Sequence, residues 1–152
     1  MRYTIDTEFD GHGGPLISLA LVPEKGDPFY FVTFHKPADP WVEENVMPYV
    51  FHNLEGIYMY QVIANEASLG FYLREYLANE NDVTIIADSA IDIGRFCQHI
   101  HSNGAGEYVS NELDRISFEV HNVDCWPNNL GPEAVQHNAY WDAVALWEKL
   151  RD

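Results

Sequence analysis

The chain has 152 residues, with 24 acidic against eight basic side chains and a formal net charge of −16. That length gives one domain with room for a substantial core, and 47% hydrophobic and 14% aromatic residues exclude a disordered acidic segment. The charge argues against a broad nucleic-acid-gripping surface, which carries a basic footprint, and no run approaches the ~20 apolar residues of a membrane span.

No repeat, low-complexity stretch or linker divides the sequence, so residues 1–152 are expected to form a single domain. The opening residues lack a signal-peptide pattern, and the only cysteines are Cys97 and Cys125. A reducing cytoplasm with thiols is the expectation, although the sequence leaves a disulfide open.

Residues 3–9 (YTIDTEF) read as a strand, yet they carry Asp6 and Glu8 one residue apart. Acids are poor strand formers. Side chains alternate along a strand, so Asp6, Glu8 and Asp10 are expected on one face. Neighbouring like charges cost stability unless they share a cation or are fully solvated. The turn DGHGGP leads to LISLALV (16–22), and PEKGDP leads to FYFVTF (29–34). These apolar and β-branched runs predict two further strands and an antiparallel meander.

WVEENVM (41–47) reads as a short helix closed by Pro48, and NEASLGFYLREYLANEN (65–81) as a helix with Leu69, Leu73 and Leu77 in register. VTIIAD (83–88) predicts a buried strand. The next helix, 89–100, is expected to turn Ala90, Ile93, Cys97 and Ile100 inward. RISFEV (115–120) predicts a fifth strand, and a Gly/Pro/Asn loop precedes a last helix ending near Leu150. A meander followed by alternating strands and helices defines a mixed α/β sheet of about five strands, three antiparallel and then parallel, flanked by helices.

Three more acids stand out by position. Asp88 ends the strand VTIIAD, and Asp92 falls in the first turns of the helix that follows, near the sheet end where α/β folds place ligands. Asp142 lies in HNAYWDAVALWEKL, beside the apolar stripe Ala139, Ala143, Leu146 and Leu150. A charge in such surroundings needs a partner. His137 precedes Asp142 by five residues, which on one unbroken helix leaves the two side chains roughly 140° apart. Convergence therefore requires a break near Asn138, a good N-cap, with His137 on the entry segment. The competing reading starts the helix at Pro132.

The D-T-E of Asp6–Glu8, an isolated Asp92 after a buried strand and the H-x-x-x-x-D of His137–Asp142 resemble the DEDDh 3′–5′ exonucleases. Their order spans nearly the whole chain. The short length and the DTEF opening look most like the compact bacterial and phage exoribonucleases. Proofreading members read D-x-E-T-T-G, whereas Phe9, Asp10 and Gly11 follow Glu8 here. The resemblance implies a ribonuclease H-like fold, with Asp6, Glu8, Asp92 and Asp142 as metal-binding carboxylates and His137 as general base. It implies two divalent ions, Mg²⁺ or Mn²⁺, and cleavage of nucleoside monophosphates from the 3′ end of single-stranded or short-overhang RNA. Related nucleases often pair, so a homodimer through the loop 102–113 is open. Asp88 stands where relatives often carry Asn, and it either adds charge to the site or caps the following helix.

The chemistry suits these residue types. Two cations about 3.5–4 Å apart neutralise a reacting phosphoryl group, hard cations take oxygen ligands, and histidine suits proton transfer near neutral pH. With two divalent ions offsetting four of the acids, a net charge of −16 becomes roughly −12, which disfavours long polyanions. Contacts are then expected at the terminal nucleotides, with Trp126 or His12 as stacking candidates. The basic residues Arg74, Arg95 and Arg115 are too scattered for a phosphate track. Cys97, His99, His101, His121 and Cys125 match no common zinc spacing, and Trp141 and Trp147 read as core. The rival functions are a DNA exonuclease and a non-catalytic acidic mimic of nucleic acid, in which the four acids would lie scattered over the surface.

Overall fold

The computed structural model describes residues 1–109, 115–122, 126–127 and 129–151. Strands β1 (Arg2–Phe9), β2 (Leu16–Pro23) and β3 (Phe29–Val32) form the expected antiparallel meander. Three further strands follow: β4 (Tyr60–Ile63), β5 (Asp82–Ala87) and β6 (Arg115–Val120). The sheet order is β4-β3-β2-β1-β5-β6, with β4, β5 and β6 each parallel to a neighbour. The sheet thus has six strands where the sequence pattern gave five. The extra strand, β4, has four residues at an edge and alternates half-buried with exposed positions, so it lacks the apolar run that marks a central strand.

Helices α1 (Pro40–Asn45), α2 (Leu69–Leu77), α3 (Ala90–Ile100) and α4 (Ala139–Arg151) flank the sheet, with short 3₁₀ turns at Met47–Tyr49 and Glu66–Ser68. Alternation along the strands splits the apolar residues into two cores. One gathers Ala20, Tyr30 and Ile86 with Val42 of α1 and Ala143, Leu146 and Trp147 of α4. The other gathers Ile5, Phe31 and Ile85 with Leu69, Leu73 and Leu77 of α2 and Phe96 of α3. Each fully buried leucine stabilises the fold by about 1.5–3 kcal/mol relative to its exposed state. Trp141 and Trp147 are core residues, as expected, and both indole N–H groups find carbonyls, of His52 at 2.9 Å and Val22 at 2.7 Å. Buried donors of this kind require such partners.

Helix α3 departs from its expected orientation. Its buried positions are Asp92, Phe96, His99 and Ile100, while Ala90 and Cys97 are exposed and Ile93 is half-buried. Steps of four, three and one residue keep that set on one face. The larger Phe96 displaces Cys97 from the core, and the rotation carries Asp92 inward. Cys97 is a free thiol, and Cys125 lies outside the described residues. No described helix is long and apolar enough to cross a membrane.

Candidate cation site at the carboxyl ends of two parallel strands

Strands β1 and β5 run parallel, with Thr4 beside Ile86. Their carboxyl ends therefore open at the same edge, where Asp6 and Glu8 leave β1 and Asp88 follows β5. Asp6 and Glu8 lie on the face of β1 that α4 covers, as Thr4 does, whose hydroxyl donates to the Ala143 carbonyl at 2.7 Å. The pairing with β2 then slips by one residue, leaving Ile17 over between the partners of Glu8 and Phe9, and β1 ends at Phe9. Asp10 consequently does not join the other two acids. Its carboxylate accepts from His35 Nε2 at 2.8 Å and from the backbone N–H groups of Ala38 and Asp39. These bonds, led by His35, hold it well below the usual carboxylate range. Asp10 is a tether for the segment leading into α1.

Asp92 enters from the opposite layer. It is 4% exposed, and its Oδ1 accepts from both the hydroxyl of Thr7 at 2.6 Å and the Thr7 backbone N–H at 3.0 Å. Burial raises its pKa to about 6 against the lowering effect of Thr7.

The break ahead of α4 lies where the His137–Asp142 spacing requires it. Asn138 is the cap, its Oδ1 accepting from the Trp141 N–H at 3.0 Å, and residues 131–137 form turns, which excludes a helix start at Pro132. His137 has a left-handed backbone, with φ of 64°, a conformation in which histidine is enriched among non-glycine residues. That turn brings its backbone N–H to Asp142 Oδ2 at 2.9 Å. Its ring meets Trp41 edge-on, with centroids 5.1 Å apart. The Asn138 side-chain amide also donates to the carbonyls of Tyr49 and Val50. Asn138→Ala is expected to cost about 1–3 kcal/mol through the lost cap and the orphaned carbonyls, measurable as a lower urea midpoint.

The sequence-derived residues meet in two adjoining groups. Donor atoms of Glu8, His137 and Asp142 lie within 4.8 Å of one another, as do those of Asp6, Asp88 and Asp92. Asp6, Glu8, Asp88, His137 and Asp142 line an open cavity of about 380 Å³ with Trp126 and Lys149 among its other walls. Burial and mutual repulsion hold Asp6, Glu8 and Asp142 well above the usual carboxylate range. The Glu8 and Asp142 side chains lie within hydrogen-bonding reach of each other, a contact that raises Glu8 further and offsets part of the rise at Asp142. Asp6 Oδ2 is buried without a hydrogen-bond partner among the described residues. Acidic oxygens so placed could hold a metal ion.

Other candidates lie elsewhere. Trp126 is half-buried against the α4 core and not an exposed platform, although it lines the cavity. His12 is exposed in the β1–β2 turn, outside the cavity lining. Arg74 binds the carbonyls of Ile100 and Ser102, Arg95 binds the Gly14 carbonyl and covers Phe9, and Arg115 pairs with Asp82. The cysteine–histidine set forms no donor cluster among the described residues: His121 pairs with Glu119 and His101 stacks on Tyr108. Of the loop 102–113, residues 110–113 lie outside the described set. Trp41, which sequence reading did not single out, is 52% exposed beside His137. Its place after D-P at the start of a short helix gave no sign of that neighbour. Compared with known proteins, the chain matches no family model and no curated sequence.

Proposed function

We propose that this protein is a metal-dependent 3′–5′ exonuclease of ribonuclease H-like fold, acting on single-stranded RNA ends and releasing nucleoside monophosphates. One observation carries the reading. Asp6, Glu8 and Asp142, separated by up to 136 residues in the chain, line one cavity with His137, and Asp92 adjoins them, with a carboxylate oxygen within 4.8 Å of oxygens of Asp6 and Asp88. An acidic mimic would have no reason to gather them, because its charges act from the surface. The 3′ polarity and the preference for RNA rest on the family resemblance of the motifs.

The residues fit a pair of hard divalent cations. The donor set is almost wholly carboxylate oxygen, and the buried, unpartnered Oδ2 of Asp6 needs a positive neighbour. Asp6, Glu8, Asp92 and Asp142 would hold Mg²⁺ or Mn²⁺. Bound there, the ions would neutralise charge on the phosphoryl group and orient it for in-line attack. The imidazole of His137 removes a proton from the attacking water. Asp142 sets that imidazole's position by accepting the His137 backbone N–H, and Trp41 limits its swing. Thr7 fixes Asp92 from behind through two hydrogen bonds. Outside the cavity the strong negative charge favours short or single-stranded ends over long duplex.

The test is incubation of 3′- and 5′-labelled RNA and DNA oligomers with Mg²⁺, Mn²⁺ or chelator, beside Asp6→Ala. The expected result is stepwise shortening from the 3′ end of RNA, abolished by chelator and by Asp6→Ala. Intact oligomers in every metal-containing lane would overturn the reading, and faster loss of DNA would reassign the substrate.

A further inference from the structure

We propose that Asp88 is a fifth carboxylate of the site, gripping a divalent cation jointly with Asp6 and Asp92. The inference deepens the exonuclease reading and rests on its cation pair. Two placements set Asp88 there. The parallel register that puts Thr4 beside Ile86 brings Asp88 alongside Asp6 when continued by two residues. Its carboxylate oxygen then lies within 4.8 Å of oxygens from both Asp6 and Asp92. Two oxygens on opposite sides of an octahedral Mg²⁺ are about 4.2 Å apart. A small side-chain rotation closes the difference.

The competing role, capping α3, is already filled. Ser89 is the N-cap residue, with extended backbone, and its hydroxyl accepts from the Ile91 N–H at 3.2 Å. Arg95 is engaged with the Gly14 carbonyl, and Arg2 and Arg115 stand at the far, amino ends of their strands, while Lys149 shares the cavity wall with Asp88. The independent sign of a ligand is the buried Oδ2 of Asp6, which has no donor among the described residues. Asp88 adds negative charge against Asp6, Glu8, Asp92 and Asp142 alike. Three acids converge here, against two acids and an imidazole in the adjoining group. The Asp88 side is therefore the one that retains a cation before any nucleic acid arrives.

The experiment is a Mn²⁺ titration of the full chain without nucleic acid, followed by calorimetry and by the electron paramagnetic resonance of free Mn²⁺, for the wild type, Asp88→Asn and Asp6→Asn. Loss of a direct ligand should weaken binding at least as much as loss of an outer-shell partner, so Asp88→Asn is expected to lose tenfold or more in affinity. In chelator the same variant should melt at or above the wild-type temperature, since one repelling charge is gone, and gain less on adding Mn²⁺. A role in packing alone would lower both melts equally. Asp88→Asn binding within about twofold of wild type, with Asp6→Asn binding lost, would overturn the role of Asp88 and leave the cation site standing. Absence of Mn²⁺ binding by the wild type would overturn both.

Discussion

His137→Ala is expected to lower kcat for 3′-end cleavage by about 10²–10⁴-fold, the usual contribution of a positioned general base. KM should change little, because the carboxylates and the cavity walls remain in place. The deficit should also shrink as pH rises, since hydroxide in solution then replaces the missing proton acceptor. A purely structural role would produce no such recovery. The backbone contact matters in its own right: the left-handed turn at His137 and its N–H bond to Asp142 tie base and acid into one unit. Turnover within threefold of wild type would remove His137 from the proposed chemistry.

The second large effect is on stability against pH. Burial, reinforced by mutual repulsion, raises the carboxyl groups of Asp6, Glu8 and Asp142 in the folded state, and burial raises Asp92 to about 6. In the unfolded chain such groups titrate near 4. The folded state therefore binds more protons above pH 4, and stability falls as pH rises. The contribution is fully present below about pH 4, declines through about 6 as Asp92 ionises, and declines further as Asp142 and Glu8 follow. In chelator the melting temperature should drop steadily across that range. Saturating Mg²⁺ or Mn²⁺ should reverse the trend, because cations bind the ionised folded form. Identical pH profiles with and without cation would contradict the proposed site.

Much of this arrangement was legible in the sequence, for identifiable reasons. The central strands announced themselves because both faces are covered, which yields continuous apolar runs such as LISLALV. The leucines of α2 followed from four-residue spacing. The break before α4 followed from helix geometry once the resemblance had assigned His137 and Asp142 to one site, since the two could not converge along one helix. Other features depend on tertiary context. The four residues of β4 carry too little pattern to outweigh their surroundings. The facing of α3 departs from its apolar pattern because a polar residue, Asp92, is turned inward by Thr7, and an apolar count cannot register that. Asp10 would share a face with Asp6 and Glu8 only if the strand ran on, whereas β1 ends at Phe9 and His35 draws Asp10 aside, and neither leaves a sequence signature. The place of Asp88 beside Asp6 depends on the pairing of residues 82 apart in the chain.

The acids of the site come from both sides of the sheet, Asp142 from the layer of α4 and Asp92 from the layer of α3. An ion seated among them would act as a clasp between the two cores on either side of the sheet. Loading the clasp would make the layers open together, so that partial unfolding of either one forfeits the cation. Metal occupancy and folding would then be two readings of one equilibrium.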